Sequence, residues 1–357
     1  AREGAARARR FDSKAGRVVG GEYLLVPGVR QANMGATFSL VGGHLLAHWD
    51  SEFAKTTLNV YDREGRLSKR VSSVGFHQDV TADADGRIIA VEVGNETNGS
   101  KDIYLMELSG GSPRRFTFGG GSYPVWGRSN EVLFYLGYTG NLRTLTRKQV
   151  ISGGGERQIL KPPHIIIPTD ASADGRWLVI QDDRPDTLND ISLVPLVPET
   201  QEVAGQPFVI RGSKFNENQG RLSRDGELLA YVSDESGQQE VYIAKLDRDG
   251  RPTQYWRVST AGGCHPRWRR DGQELFYLSL SRTLMTVAVQ KTSGTLKFAT
   301  PVRLFDTLAF GASSDSRSPY FPIGDGHQFV INTLEVNSAA LPIRVITGWT
   351  GLLGRER

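Results

Sequence analysis

Polar stretches alternate along this chain with short apolar runs, and the polar stretch before a run repeatedly ends in Asp-Gly. The pattern reads Asp85-Gly86-Arg87-Ile88-Ile89-Ala90-Val91 and then Asp174-Gly175-Arg176-Trp177-Leu178-Val179-Ile180. It returns as Asp225-Gly226-Glu227-Leu228-Leu229-Ala230-Tyr231 and as Asp271-Gly272-Gln273-Glu274-Leu275-Phe276-Tyr277. Weaker copies begin at Gly42-Gly43-His44 and Asp325-Gly326-His327, and a seventh at Ser129-Asn130-Glu131. Asn130 suits the turn position, because Asn after Gly best tolerates the left-handed backbone of a tight hairpin. The turn residue falls at 43, 86, 130, 175, 226, 272 and 326, at intervals of 43 to 54 residues.

Each period has the same interior. A strand follows the turn, then a polar loop, then an alternating strand such as Ile103-Tyr104-Leu105-Met106-Glu107-Leu108 or Val241-Tyr242-Ile243-Ala244-Lys245-Leu246. A fourth strand closes the period, as in Arg115-Phe116-Thr117 or Trp256-Arg257-Val258-Ser259. With the short strand before the turn (Val125-Trp126, Arg267-Trp268), this makes four antiparallel strands in about 45 residues, the mark of a β-propeller blade. The pattern predicts an all-β propeller of seven blades, with six blades and an irregular cap as the alternative. Residues 1–10 read as a basic arm and 11–353 as a single propeller. The last repeat, near Ile343-Arg344-Val345-Ile346, lacks an outer strand. We expect Arg17–Pro27 to pair there and close the ring, removing its exposed edge.

The repeat carries a resemblance. Ser223-Arg224-Asp225-Gly226, Ala230-Tyr231-Val232-Ser233 and Glu240-Val241-Tyr242-Ile243 resemble the repeat of TolB-type propellers. The block from Asn216-Glu217 through Ser259-Thr260-Ala261-Gly262-Gly263 and Pro266-Arg267-Trp268-Arg269-Arg270-Asp271-Gly272 resembles a narrower bacterial group. Those are propellers lying C-terminal to serine/threonine kinase or winged-helix regulator domains. Asn332-Thr333 and Trp349 match the way they end. The resemblance implies a non-catalytic sensory or protein-interaction module of a larger signalling protein, in an extracytoplasmic, periplasmic setting. A stand-alone TolB-like envelope scaffold is the alternative it leaves open. No Gly-rich phosphate loop, His-Arg-Asp or Asp-Phe-Gly motif is present, so kinase chemistry would lie outside these residues.

Composition narrows the choice. One cysteine, Cys264, excludes an internal disulfide framework and a multi-cysteine metal site. No window approaches the roughly 20 apolar residues of a spanning helix. The net charge of +4 resides entirely in residues 1–30, so the remainder is neutral and lacks the basic face that nucleic-acid binding needs. The start at Ala1, with no apolar stretch behind it, reads as a cut or processed end and not as a signal peptide.

Candidate chemistry converges on the channel. Counting six residues back from each turn aspartate gives equivalent positions, among which Asp79, Tyr123, Gln219 and His265 can hydrogen-bond. Arg221 and Arg267 lie two residues further on and, by strand alternation, on the same side. Together these six are the candidate ligand site at the channel mouth, for a protein, a peptide or a small ligand, anions included. The bland alternative is that they bond only neighbouring blades or water. His77, Asp79 and His265 form a weak metal candidate, which would suit a metal-dependent polysaccharide lyase or hydrolase. The pair His44 and His48 reads as mid-blade, and no cofactor is expected. Asp83-Ala84-Asp85-Gly86 and Asp247-Arg248-Asp249-Gly250 begin like calcium loops but lack the glutamate that closes one, so they read as turns. No nucleophile elbow occurs, and adjacent Cys264 and His265 would point to opposite faces of a strand. Trp126 and Trp268 occupy equivalent positions and read as packing between blades. A monomer is expected.

Overall fold

The computed structural model describes residues 5–12, 14–27, 31–32, 35–36, 38–41, 45–49, 55–95, 99–139, 142–151, 154–161, 164–292, 295–311, 316–335 and 343–347. Two compact units divide the chain, Lys55–Leu334 and the combination of Ala1–Ala54 with Glu335–Arg357.

The first unit is a propeller of six antiparallel blades, five of four strands and one of five. Blade 1 runs outward through His77–Ala82, Ile88–Gly94, Lys101–Glu107 and Arg114–Arg115. Blade 2 comprises Gly121–Trp126, Val132–Thr139, Leu142–Gln149 and Arg157–Leu160, and blade 3 Ile166–Ala171, Trp177–Arg184, Leu188–Pro195 and Phe208–Arg211. Blade 4 is built from Glu217–Leu222, Leu228–Ser233, Glu240–Leu246 and Pro252–Arg257. In blade 5 the strands Cys264–Trp268, Glu274–Leu278 and Thr283–Thr292 are followed by Thr295–Phe298 and Val302–Asp306, which both pair with the long third strand. Blade 6 takes its inner strands, Tyr320–Ile323 and Gln328–Leu334, from one end of the unit and its outer strands, Thr56–Asp62 and Leu67–Arg70, from the other.

That shared blade closes the ring through a seven-residue ladder from Gln328 opposite Asp62 to Leu334 opposite Thr56. The expected closure differs. Arg17–Pro27 pairs with Ala5–Asp12, and Ile343–Thr347 pairs with Leu45–Trp49, which also pairs with Phe38–Val41. These strands belong to the second unit, so the period with its turn at 43 is no blade and six is the count. Its apolar run does form a strand, but the segment that would have been its third strand, Thr56–Asp62, finds a longer ladder on Gln328–Leu334. Gly43 and His44 lie outside the described residues, as does the side chain of His48.

The turn reading holds at the six blades. Gly86, Asn130, Gly175, Gly226, Gly272 and Gly326 all have positive φ, between 60° and 80°. In blade 4 the Gly226 amide donates to Ser223 O at 2.8 Å, and Ser223 Oγ accepts from the Leu228 amide at 3.0 Å while donating to Asp225 Oδ1 at 2.6 Å. Ser172 does the same for Trp177 and Asp174 in blade 3. These side chains satisfy the amides that a tight turn leaves without a ladder partner.

Burial grades outward. All six residues of Leu228–Ser233 are buried, as expected for strands covered on both faces, while all four of Leu67–Arg70 are exposed. Apolar clusters fill the spaces between blades, for example Val179, Ile191 and Leu193 of blade 3 against Tyr231, Tyr242 and Ala244 of blade 4. The turns from first to second strand lie at one end of the channel, called here the turn face. The connections between blades lie at the other, the connection face.

Candidate functional site

The six first strands surround an axial cavity of about 460 Å³ that opens on the turn face. Every blade contributes to its wall: Asp79, Val125, Asp170, Arg221, Arg267 and Phe321. A second cleft of about 340 Å³ adjoins it and shares Asp85, Asp170, Arg224, Arg270 and Phe321. At the rim, Arg270 reaches across to Asp85 at 3.6 Å, and exposed Arg224 makes no ion pair among the described residues.

Three of the six expected site residues therefore share one cavity: Asp79, Arg221 and Arg267. All three are at least nine-tenths buried. Arg221 donates through Nη1 to the carbonyls of Thr169 and Gly220, and through Nη2 to Ser318 Oγ at 2.9 Å. Arg267 donates through Nη2 to the same Ser318 Oγ and lies 5.1 Å from the centre of the Phe321 ring. Trp268 reaches back through Nε1 to Arg221 O at 3.0 Å, in keeping with its reading as packing between blades. Asp79 Oδ1 accepts from the Ser318 amide at 2.8 Å, and Asp170 Oδ2 from the Leu222 amide at 2.7 Å.

Burial dominates the ionisation of this group. Desolvation, with Glu92 adding repulsion, pushes Asp79 up to about 7. Desolvation also raises Asp170. The guanidinium of Arg221 is brought down to about 9 by desolvation and by the neighbouring charge of Arg267, whose own pKa is lowered by desolvation.

Tyr123, Gln219 and His265 do not line the cavity. Each sits at a β-bulge toward the connection face, with φ of 56°, 57° and 54°. In blades 2, 4 and 5 the bulge sets two first-strand residues opposite one tyrosine: Tyr135, Tyr231 or Tyr277. Bulges re-aim the chain locally, and polar groups of these three bond neighbouring blades. Gln219 accepts from the His265 amide at 2.5 Å, the His265 carbonyl accepts from Tyr320 OH at 2.9 Å, and the Tyr123 amide donates to Glu92 Oε2 at 3.2 Å. The guanidinium of Arg317 stacks 4.4 Å from the Tyr123 ring centre.

His77 is buried with Nδ1 3.2 Å from Thr56 Oγ1, and burial brings its pKa down to about 4. It stands in blade 1 and His265 in blade 5, and among the described residues no cluster of three His, Cys, Asp or Glu side chains gathers to hold a metal. Burial pushes the Cys264 thiol up to about 12, which leaves it inert as a nucleophile at neutral pH.

Two residues of the site escaped the sequence reading: Asp170 in the cavity wall, and Ser318, which bonds Arg221, Arg267 and Asp79. Asp170 was within reach, because it occupies in blade 3 the repeat position that Arg221 and Arg267 occupy in blades 4 and 5. Ser318 had no such signal, since only the closed ring brings it beside Arg221, 97 residues away.

No known family profile and no curated protein sequence matches this chain. Solved structures do share its fold. A TolB candidate from Agrobacterium tumefaciens superposes with a TM-score of 0.58 at 14% identity, over 79% of this chain and 99% of that one. TolB from Acinetobacter baumannii gives 0.51 at 16% identity, over 72% and 66%. A candidate 6-phosphogluconolactonase from Bacteroides uniformis gives 0.51 at 15% identity, over 82% and 97%. The propeller is thus TolB-like in architecture, an architecture that also accommodates a proposed enzyme, and fold alone does not choose between those activities. Among the described residues no helix is long and apolar enough to cross a membrane.

Proposed function

We propose that this propeller is a non-catalytic interaction module that receives a protein, peptide or small ligand at its turn-face mouth. The observation that carries this reading is the axial cavity itself, walled by all six blades and lined by converging charged side chains. A concave site with a few placed polar groups on a rigid scaffold is the usual form of a ligand pocket. The resemblance of Asn216–Leu278 to propellers attached to bacterial kinases and regulators extends the reading to a sensory role in a larger, extracytoplasmic signalling protein. The intact mass of the native protein tests that extension, which is lost if the species found has about the length of this chain.

The site itself is tested with a peptide and metabolite library screened for compounds that raise Tm. Ligands of the mouth should lose their effect in the rim variant Arg224→Ala/Arg270→Ala and keep it in Tyr123→Ala at the connection face. Hits indifferent to the rim, or lost equally in both variants, would reject the mouth as the binding site.

A further inference from the structure

We infer that Arg221 and Arg267 form a seat for a single carboxylate group inside the axial cavity. This deepens the reading of the turn-face mouth as a binding site and rests on it. Both guanidiniums are buried in the wall, 5% and 7% exposed, and among the described residues neither has a carboxylate oxygen within 4.0 Å. Their hydrogen bonds go to neutral oxygens: two backbone carbonyls and the Ser318 hydroxyl. Among the described residues, Nε of Arg221 and Nε of Arg267 are left without a hydrogen-bond partner. Buried cations without an opposite charge are costly, and proteins normally pair them. Here Ser318 ties one corner of each guanidinium, the Nε donors are enclosed in the wall, and both arginines line the cavity.

Geometry and charge select the anion. Both Nη2 groups converge on one oxygen, so the guanidiniums are close enough for one planar anion to bridge them, and arginine recognises carboxylate in this way. Two aspartates share the cavity. Asp79 faces Glu92, Arg221 and Arg267, and its raised pKa keeps it largely protonated below pH 7; Asp170 faces the same two arginines. Inward of Asp85, Arg128, Arg224 and Arg270 in the turns, two positive charges then face about one negative, a balance that one monoanion completes and a phosphate dianion overshoots. The cavity, at about 460 Å³, exceeds a carboxylate several-fold, so the group would arrive on a larger body whose remainder meets Phe321, Pro124 and Pro168.

The test is calorimetric titration of the full chain at pH 6 and pH 8 with three probes. These are propionate, the blocked tripeptide acetyl-Gly-Glu-Gly-amide, and inorganic phosphate. Saturable one-to-one binding of either carboxylate, tighter at pH 6 and at least tenfold weaker in Arg267→Met, is the expected result. Propionate binding as well as the peptide assigns the seat to small free acids, and a peptide preference assigns it to an acidic side chain. Asp79→Asn should bind at pH 8 as tightly as wild type at pH 6, which keeps the proposal testable should the arginine variant misfold. Phosphate binding equal to carboxylate at pH 8, where phosphate is the dianion, or carboxylate binding unchanged in Arg267→Met, overturns the seat. So does the absence of carboxylate binding, and if library ligands still depend on the Arg224 and Arg270 rim, the mouth survives without it.

Discussion

At the connection end of the inner strands, polar groups of Tyr123, Gln219 and His265 are taken up by neighbouring blades. At the turn end, Arg221 and Arg267 keep Nε donors with no acceptor among the described residues. The two ends lie only two residues apart along the same strands. The bulges make the difference. Opposite Tyr135 and Tyr277 the amides of left-handed Tyr123 and His265 are aimed sideways into the preceding blade, and opposite Tyr231 the side chain of Gln219 reaches the following one. Beyond the bulge the strand is regular again, and its side chains point into the channel. One ring can thus be stitched at one end and left chemically open at the other.

The largest effect should come from the stitched end. Glu92 occupies in blade 1 the place the tyrosines hold elsewhere. It is fully buried and accepts from the Tyr123 amide at 3.2 Å and Arg317 Nε at 3.0 Å, with Lys101 Nζ 3.3 Å away. Glu92→Ala strips three donors at once and should cost about 3 kcal/mol or more in urea unfolding, as breaking a buried pair does. A loss below about 1 kcal/mol would mean that this end is not what holds blades 1, 2 and 6 together.

Next come two turn glycines that differ in surroundings. A Cβ at Gly326 (φ 80°) would lie 2.9 Å from Phe276 Cζ and 3.1 Å from Arg269 Cδ, whereas at Gly226 (φ 72°) nothing lies within 4 Å. Gly226→Ala should cost about 1–2 kcal/mol, the left-handed penalty alone. Gly326→Ala should cost about 1–3 kcal/mol beyond that for overpacking. Equal midpoints for the two variants would refute this account of the turn face.

Opposed pH slopes should follow from one residue nearer each end. Asp79, raised from 3.8 to about 7, binds more protons folded than unfolded in that window, so its contribution to stability falls as pH rises through it. His77, lowered from 6.5 to about 4, binds fewer protons folded, so its contribution is lost as pH falls through that range. In the wild type the two should largely offset each other between pH 4 and 6.5. Asp79→Asn should leave stability rising with pH there, and His77→Gln should leave it falling; parallel profiles would contradict both assignments. The smallest effect belongs to Asn130→Gly, where relief of a φ of 60° is offset by loss of the 2.9 Å bond from the Ala84 amide. The net change should stay within about 0.5 kcal/mol.

Much of this was legible in the residues. Asp-Gly followed by an apolar run marks a hairpin for local reasons, and Asn130 could be read the same way because left-handed tolerance belongs to the residue. Arg221 and Arg267 were found by repeat counting and do share a cavity with Asp79. The same counting placed Tyr123, Gln219 and His265 beside them, and there it met the bulges. An extra residue opposite Tyr231 leaves no mark that a period-2 reading can detect.

By itself the sequence determined what is local: strands, turns, the period of about 45 residues and the buried runs, since each depends on neighbours along the chain. Only the tertiary structure decided how many periods become blades, because Thr56–Asp62 had to choose between a nearby strand and Gln328–Leu334, more than 260 residues away. It alone decided which polar residues face the channel and which face a blade. That choice depends on ring closure and bulge geometry, which bring Ser318 between two arginines and turn Gln219 away from them.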